Sequence, residues 1–242
     1  TVFTPVYNRC ETIHRVWDSL CAQTYQNFEW IVVDDGSTDG VSELIKQYKR
    51  RATFPMIVIR QTNQGKHIAW NKAVDIAKGE LFVPADSDDA FVSNTLERFA
   101  TLWNSIPIDT RLQFSGINCL CSDPATGKII GNLFPQENMI TNNLDLTFCY
   151  HIAGEKWGTI RTDLLRQRRF PEIPGTCYPM TYLWFGLARN YKVLCVNEVL
   201  RHYFHDQHNH ISAGKSGIGR SAAQRRHYAC WHLNTNWDYI KL

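Results

Sequence analysis

Two acidic clusters dominate the chemistry available to this chain: Asp34-Asp35-Gly36-Ser37 and Asp86-Ser87-Asp88-Asp89. Each follows a short apolar run, residues 30–33 in one case and 81–83 in the other. Carboxylates gathered at the ends of neighbouring strands repel one another. They call for a cation or a hydrogen-bonding ligand between them. Arg60, the stretch from Gln61 to Lys66, and Tyr7-Asn8 supply positive and polar groups at comparable strand ends. Such a set suits a nucleotide sugar. One carboxylate pair accepts hydrogen bonds from a base N–H and ribose hydroxyls. The other holds Mg²⁺ or Mn²⁺ against the diphosphate, because hard cations prefer oxygen ligands. A diphosphate within ~4 Å of Asp88 meets repulsion of several kcal/mol at an effective dielectric of about 20, so a divalent ion must intervene. The same ion stabilises the leaving diphosphate as a glycosidic bond breaks.

Strands and helices must alternate to bring these clusters together. Residues 2–7 read as a buried strand ending at Asn8. Ile13, Val16, Trp17, Leu20 and Cys21 then recur at helical spacing. Residues 30–33 are continuously apolar, as in a strand covered on both faces. Asp39 is placed to cap a helix whose inner stripe is Val41, Leu44, Ile45 and Tyr48, with Lys46, Lys49, Arg50 and Arg51 outside. A third strand over 56–59, a helix over 64–77 ended by Lys78-Gly79, and a fourth strand over 81–83 follow. Asn94 with Glu97 predicts a capping box opening another helix. This alternation implies right-handed crossovers and a mostly parallel α/β sheet.

Past residue 105 the rhythm changes. Residues 112–121 predict a strand, 123–128 a turn and 129–131 its return arm. Residues 135–180 read as irregular apart from a short helix over 162–167. A helix over 182–190, strands over 193–196 and 199–204, and a terminal helix over 221–240 complete the expectation. The division is a nucleotide-sugar half, 1–105, and an acceptor-side half, 106–242, sharing one sheet.

The ordered set Thr4-Pro5-Val6-Tyr7-Asn8, Val32-Val33-Asp34-Asp35-Gly36-Ser37-Thr38-Asp39, Asn63-Gln64-Gly65-Lys66 with Ala69 and Asn71, and Ala85-Asp86-Ser87-Asp88-Asp89 resembles family-2 glycosyltransferases of the GT-A fold. Each motif alone is weak, whereas the ordered set is specific; the likeness covers residues 1–105. The resemblance implies that Pro5, Val6 and Tyr7 line the nucleobase pocket and that Asp34 and Asp35 hold base and ribose. It implies that Asp86 and Ser87 face the donor and that Asp86 and Asp88 act as the family's Asp-x-Asp metal motif. Lys66 would lie near the base or diphosphate. Competing readings are ordinary turn chemistry for residues 34–37, a helix cap for Asp89, a loop contact for Asn71 and a solvated lysine at 66.

An inverting transferase needs a general base near the acceptor hydroxyl. Family members supply an acid just before a helix resembling Tyr182-Leu183-Trp184-Phe185-Gly186-Leu187-Ala188. Here that stretch is Cys177-Tyr178-Pro179-Met180-Thr181, without a carboxylate. Glu155 is the substitute base, set against a plain ion pair with Lys156 or Arg161; Glu172 and Asp206 rank below it. His202, His205, His208 and His210 surround Asp206 at a spacing unlike the usual zinc ligands. His205 or His210 closing over the metal or diphosphate is the better reading. Arg166, Arg168 and Arg169, and Arg220, Arg225 and Arg226, are either solvated or form patches for anionic lipid.

The expectation is therefore a UDP-sugar-dependent glycosyltransferase using Mg²⁺ or Mn²⁺, with a saccharide or lipid-linked saccharide acceptor and inversion at the anomeric carbon. A base-less binding or scaffold protein on the same fold is the alternative. A nucleotidyltransferase ranks lower, because Pro5-Val6-Tyr7-Asn8-Arg9 is no glycine-rich triphosphate loop. A net charge of +3 from 26 Lys+Arg and 23 Asp+Glu is too mild for bulk nucleic-acid binding. The 8 cysteines show no CxxC spacing, so reduced thiols in a cytoplasmic setting, with possible contact at the inner membrane face, are expected. No apolar run reaches the ~20 residues of a membrane span, and no signal peptide is visible. The chain does not open on Met, which leaves room for an upstream segment.

Overall fold

The structure is a computed structural model that describes residues 1–172, 178–205, 232–236 and 238–239. Its first half alternates as the sequence predicts: β1 (Val2–Val6), α1 (Ile13–Cys21), β2 (Trp30–Asp34), α2 (Val41–Arg51), β3 (Met56–Arg60), α3 (Lys66–Ile76) and β4 (Leu81–Pro84). Every residue of β2 is buried. Alternate side chains of this strand enter different layers. Trp30 and Val32 pack with Val16, Trp17, Ile45 and Tyr48 of α1 and α2. Ile31 and Val33 pack with Ala69, Trp70 and Val74 of α3. A strand covered on both faces has no use for polar alternation, which explains its unbroken apolar run.

The remaining elements are β5 (Ala90–Phe91), α4 (Thr95–Ser105), β6 (Phe114–Ser122), β7 (Met139–Thr141), α5 (Asn143–Phe148), β8 (Lys156–Arg161), α6 (Thr162–Gln167), α7 (Thr181–Ala188) and β9 (Lys192–His202). One nine-stranded sheet runs β3-β2-β1-β4-β8-β6-β9-β5, with β7 paired to β9. The β1, β2, β3 and β4 pairings are parallel, and β8 joins β4 antiparallel through Leu81↔Arg161 and Phe82↔Ile160. That seam welds the two halves into one sheet.

Several expectations needed correction. Residues 135–180 are not irregular: they contain β7, α5 and the seam strand β8, whose short polar-flanked runs give little periodicity. The two strands expected over 193–196 and 199–204 are one, β9, with irregular register against β6. Asn197 looks like a turn residue, yet it bonds Phe134 twice, accepting from its N–H at 2.8 Å and donating to its carbonyl at 3.0 Å. The return arm at 129–131 makes only a single bridge, Ser122↔Ile129. The capping box of α4 is not formed, because Glu97 accepts from Thr24 Oγ1 at 2.7 Å instead. At α2, Gly40 holds the cap position, while Asp39 accepts the Val41 amide at 3.1 Å. Cys119 and Cys121 are buried in one core cluster. Of the expected terminal helix, residues 232–236 and 238–239 are helical, and the rest lies outside the described residues.

Candidate active site

Three parallel strands stop level with one another, since Val6 pairs with Asp34 and Asp34 with Arg60. The loops leaving this edge carry the first acidic cluster. Asp34 accepts from the Ser37 amide at 2.9 Å and from Ser42 Oγ at 2.5 Å, with Arg60 Nε 3.7 Å away. Burial alone would raise its carboxyl. The Ser37 and Ser42 bonds and the Arg60 charge outweigh that and hold it below the usual carboxylate range. Asp35 accepts from Gln61 Nε2 at 2.7 Å, from the Gln64 amide at 2.8 Å and from the Gly65 amide at 2.8 Å. Gly36, just after Asp35, has φ +80°, and a Cβ there would lie 2.9 Å from the Asn63 nitrogen, so only glycine lets the two loops close.

The loop gripped by Asp35 ends at Lys66, whose ammonium bonds Asp86 in the second cluster. Burial would lower the pKa of this lysine, but Asp86 more than compensates and lifts it above its ordinary value. The two clusters are therefore joined at one end of the sheet, bridged by residues 61–66. Asp88 Oδ2 stands 3.8 Å from Arg9 Nε, and Arg15 donates to the Asp88 carbonyl at 3.0 Å. Ser87 is buried within this turn. Tyr7 is 49% exposed at the end of β1 beside Asn8, which donates its N–H to Ser37 Oγ at 3.0 Å. Pro5 and Val6 lie in β1 just below.

Asp89 is neither a cap nor exposed. It is fully buried and takes both Nε, at 2.9 Å, and Nη2 of Arg201. Burial pushes its carboxyl up to about 7 against the pull of that guanidinium. Arg201 is likewise buried, and burial would lower it, but Asp89 and Asp86 hold it well above its usual value. Its remaining donors reach Asp86 Oδ2 at 3.4 Å and Glu155 Oε1 at 3.3 Å. The Glu155 carboxylate is thus paired with neither Lys156 nor Arg161 but shares the Arg201 guanidinium with Asp86 and Asp89. The close approach of Gly131 and Gly154 sets its loop: a Cβ on Gly154 would lie 2.4 Å from the Gly131 Cα.

Arg201 escaped the sequence reading. The available signal was a lone arginine inside the apolar run Val199-Leu200-Arg201, since a strand buries such a charge only against carboxylates. Asn71 makes the loop contact, donating to the Phe170 carbonyl at 2.9 Å and accepting its amide at 3.1 Å. Lys66 is half-buried and bonded to Asp86 rather than freely solvated. Arg166 and Arg168 donate to the carbonyls of Ala77 and Tyr182, and Arg169 pairs with Asp75 and Glu172, so internal bonds hold all three. Met180 packs against the apolar cluster around Phe170 and Leu183. His205 is exposed and sets its ring edge-on to Tyr203 at 4.9 Å. Asp206, His208, His210, Arg220, Arg225 and Arg226 lie outside the described residues. Among the described residues no three His, Cys, Asp or Glu side chains converge as a metal cage. A groove of about 490 Å³ opens at the opposite, amino end of the sheet near Glu29 and Lys78. The Glu29 carboxylate is committed there to Thr1 and the Lys78 amide.

Comparison with known proteins fits this geometry. Residues 1–115 match the model for "Glycosyl transferase family 2". That match covers just under half of the chain and includes both acidic clusters. The putative teichuronic acid biosynthesis glycosyltransferase TuaG of Bacillus subtilis is 35% identical over 98 residues, 40% of this chain and 39% of that protein. A poly(ribitol-phosphate) beta-glucosyltransferase of Bacillus spizizenii is 36% identical over 122 residues, 49% of this chain and 19% of that protein. The chain thus spans well under half the length of these relatives. The crystal structure of S. aureus TarS 1-349 in complex with UDP-GlcNAc superposes with a TM-score of 0.74 over 97% of this chain and 66% of that one, at 23% identity. The chain therefore has the GT-A fold, and β8, β6 and β9 carry that fold through its second half. Among the described residues no helix is long and apolar enough to cross a membrane.

Proposed function

We propose that this protein is a glycosyltransferase that moves a sugar from a nucleotide-sugar donor, a UDP-sugar, to a saccharide or lipid-linked saccharide, inverting the anomeric centre. The observation that carries the proposal is the direct link between Asp34-Asp35 and Asp86-Asp88 through Gln64, Gly65 and Lys66. Tyr7 offers an exposed ring at the same end of the sheet for a nucleobase. Asp34 and Asp35 keep lone pairs for base and ribose beyond those bonded to the loops. Lys66 lies between the clusters, where a diphosphate would lie.

The donor set suits a divalent cation. Asp86 and Asp88 are hard oxygen ligands on one turn, and Mg²⁺ typically takes one or two carboxylates and completes its shell with phosphate oxygens and water. Asp86 and Asp88 would hold Mg²⁺ or Mn²⁺, which supplies charge neutralisation for the departing diphosphate. Among the described residues Glu155 is the carboxylate from the second half that Arg201 joins to Asp86, and it takes the acceptor proton in this reading. The names of the relatives favour a bacterial envelope glycan as the acceptor class.

Thermal shift with UDP, UDP-sugars and GDP-sugars, each with and without Mn²⁺, tests the proposal. Binding stabilises by RT ln(1 + [L]/Kd), so UDP at about 100 times its Kd adds about 2.7 kcal/mol. A flat response to every nucleotide would sink the reading. One observation favours a second reading, a binding module on the same fold: Met180 fills the position where the resemblance places an acid, and it lies half-buried against an apolar cluster. Release of UDP from UDP-sugar separates the two, since a binding module releases none.

A further inference from the structure

We infer that Arg201 is a positioning residue: its guanidinium, locked on one edge to Asp89, holds Glu155 and Asp86 in register with each other. The inference rests on the glycosyltransferase reading and assigns the device that couples donor side to acceptor side.

The geometry divides the guanidinium into two edges. Nε and one Nη2 hydrogen go to Asp89, which is fully buried and otherwise accepts, among the described residues, only the Phe204 amide at 3.3 Å; the second Nη2 hydrogen and Nη1 remain. The remaining reach goes to two half-exposed carboxylates, Asp86 with 34% and Glu155 with 43% of its side chain accessible. The anchored edge is structural; the free edge faces Asp86 and Glu155. Aromatic rings restrict the group further, with Trp157 5.8 Å and Tyr203 5.3 Å from the guanidinium carbon. Trp157 is itself fixed, donating Nε1 to the Pro84 carbonyl at 2.6 Å and stacking on Phe91 at 5.0 Å. That bond ties β8, which follows Glu155, to the strand end that precedes Asp86. Arg201 and Trp157 are thus two clamps on the same pair of segments.

A planar five-donor fork is needed for this task. Lysine offers one compact charge, which can neutralise Asp89 but cannot address three carboxylates from one plane. Arg201→Lys therefore keeps the buried charge balanced while removing the free edge. A purely structural arginine would respond differently, losing fold and donor affinity together.

The test is a cycle of Arg201→Lys, Glu155→Gln and the double variant in the purified protein, reading UDP affinity, kcat and acceptor KM. Arg201→Lys is expected to leave UDP affinity within about threefold and to lower kcat about tenfold or more, within the range by which a positioned base acts. The double variant is expected to be no slower than Glu155→Gln alone, because coupled residues are not additive. An independent arm is Glu155→Asp, which keeps the carboxylate, lies outside every strand and withdraws it from Nη1. It is expected to lose most of the turnover lost by Glu155→Gln. Multiplicative losses in the cycle, unchanged kcat in Arg201→Lys, or full activity in Glu155→Asp would overturn the proposal. A wild-type protein that binds UDP but transfers no sugar overturns the functional reading, and the positioning role falls with it. An active wild type with independent variants overturns the positioning role alone.

Discussion

Asp35 accepts the Gly65 amide at 2.8 Å, one residue before the lysine that bonds Asp86. The first acidic cluster thus carries the loop that delivers a cation to the second. Two carboxylate groups that would otherwise repel are joined through a short peptide and one ammonium.

Asp35→Ala should therefore loosen residues 61–66. It leaves the Gln64 and Gly65 amides and Gln61 Nε2 without their acceptor, each partly or wholly buried. Leaving buried donors unmade costs about 1–3 kcal/mol in such cases. Urea unfolding should show that loss, and UDP affinity should fall with it. Stability equal to wild type would mean the loop is held by something other than this carboxylate.

Asp34 sets an acid limit on the fold. Its carboxyl is held below its ordinary value of 3.8 in the folded protein, net of the burial that opposes the shift. Its contribution is complete above the unfolded value and is lost as pH falls below the ordinary carboxylate range and through the lower folded value. Asp34→Asn, which cannot gain this charge, should be less stable near neutrality and show a shallower acid limb. Urea midpoints measured from neutral to acid pH check the slope. An unchanged slope would assign acid lability to other groups.

The donor half was legible because its signals are local. Each strand there is an unbroken apolar run, each helix a clear stripe, and each loop an acidic or glycine-bearing cluster, so spacing along the chain maps onto one sheet edge. The second half was legible only in part, in the strand over 112–121 and the helices over 162–167 and 182–190 that answer to β6, α6 and α7. β8 is a seam strand paired antiparallel to both β4 and β6, and its mixed run Lys156-Trp157-Gly158-Thr159 has neither a pure apolar run nor clean alternation. Arg201 and Glu155 are separated by 46 positions, and only tertiary folding brings them within reach. A sequence pattern can say that a buried arginine needs carboxylates, but not which ones.

Trp157 should prove a joint between the halves. Trp157→Phe keeps a ring for the stack on Phe91 but removes the 2.6 Å bond to the Pro84 carbonyl. A cost of about 1–2 kcal/mol is expected from a part-buried bond of this kind. Trp157→Ala loses the ring as well, and large aromatic truncations in a core cost about 3–5 kcal/mol. Thermal unfolding of the two variants should rank them in that order. Equal destabilisation would show that the indole N–H, rather than packing, carries the residue's weight.

Asp88→Ala tests the metal assignment directly. Asp88 is buried in the turn after β4, with Arg9 Nε 3.8 Å from its carboxylate, and the turn is also held by Arg15 on the Asp88 carbonyl at 3.0 Å. Because the backbone bond from Arg15 survives the substitution, the turn should keep its shape and the melting temperature should move little. UDP titrated with and without Mn²⁺ then separates two contributions. Wild type should bind more tightly with the ion, whereas Asp88→Ala should bind weakly and equally in both. Asp86→Ala is the contrast: it strips Lys66 and Arg201 of a shared partner, so it should lose stability as well as metal response. Retention of a full Mn²⁺ effect in Asp88→Ala would remove this carboxylate from the ion's shell and move the metal role elsewhere.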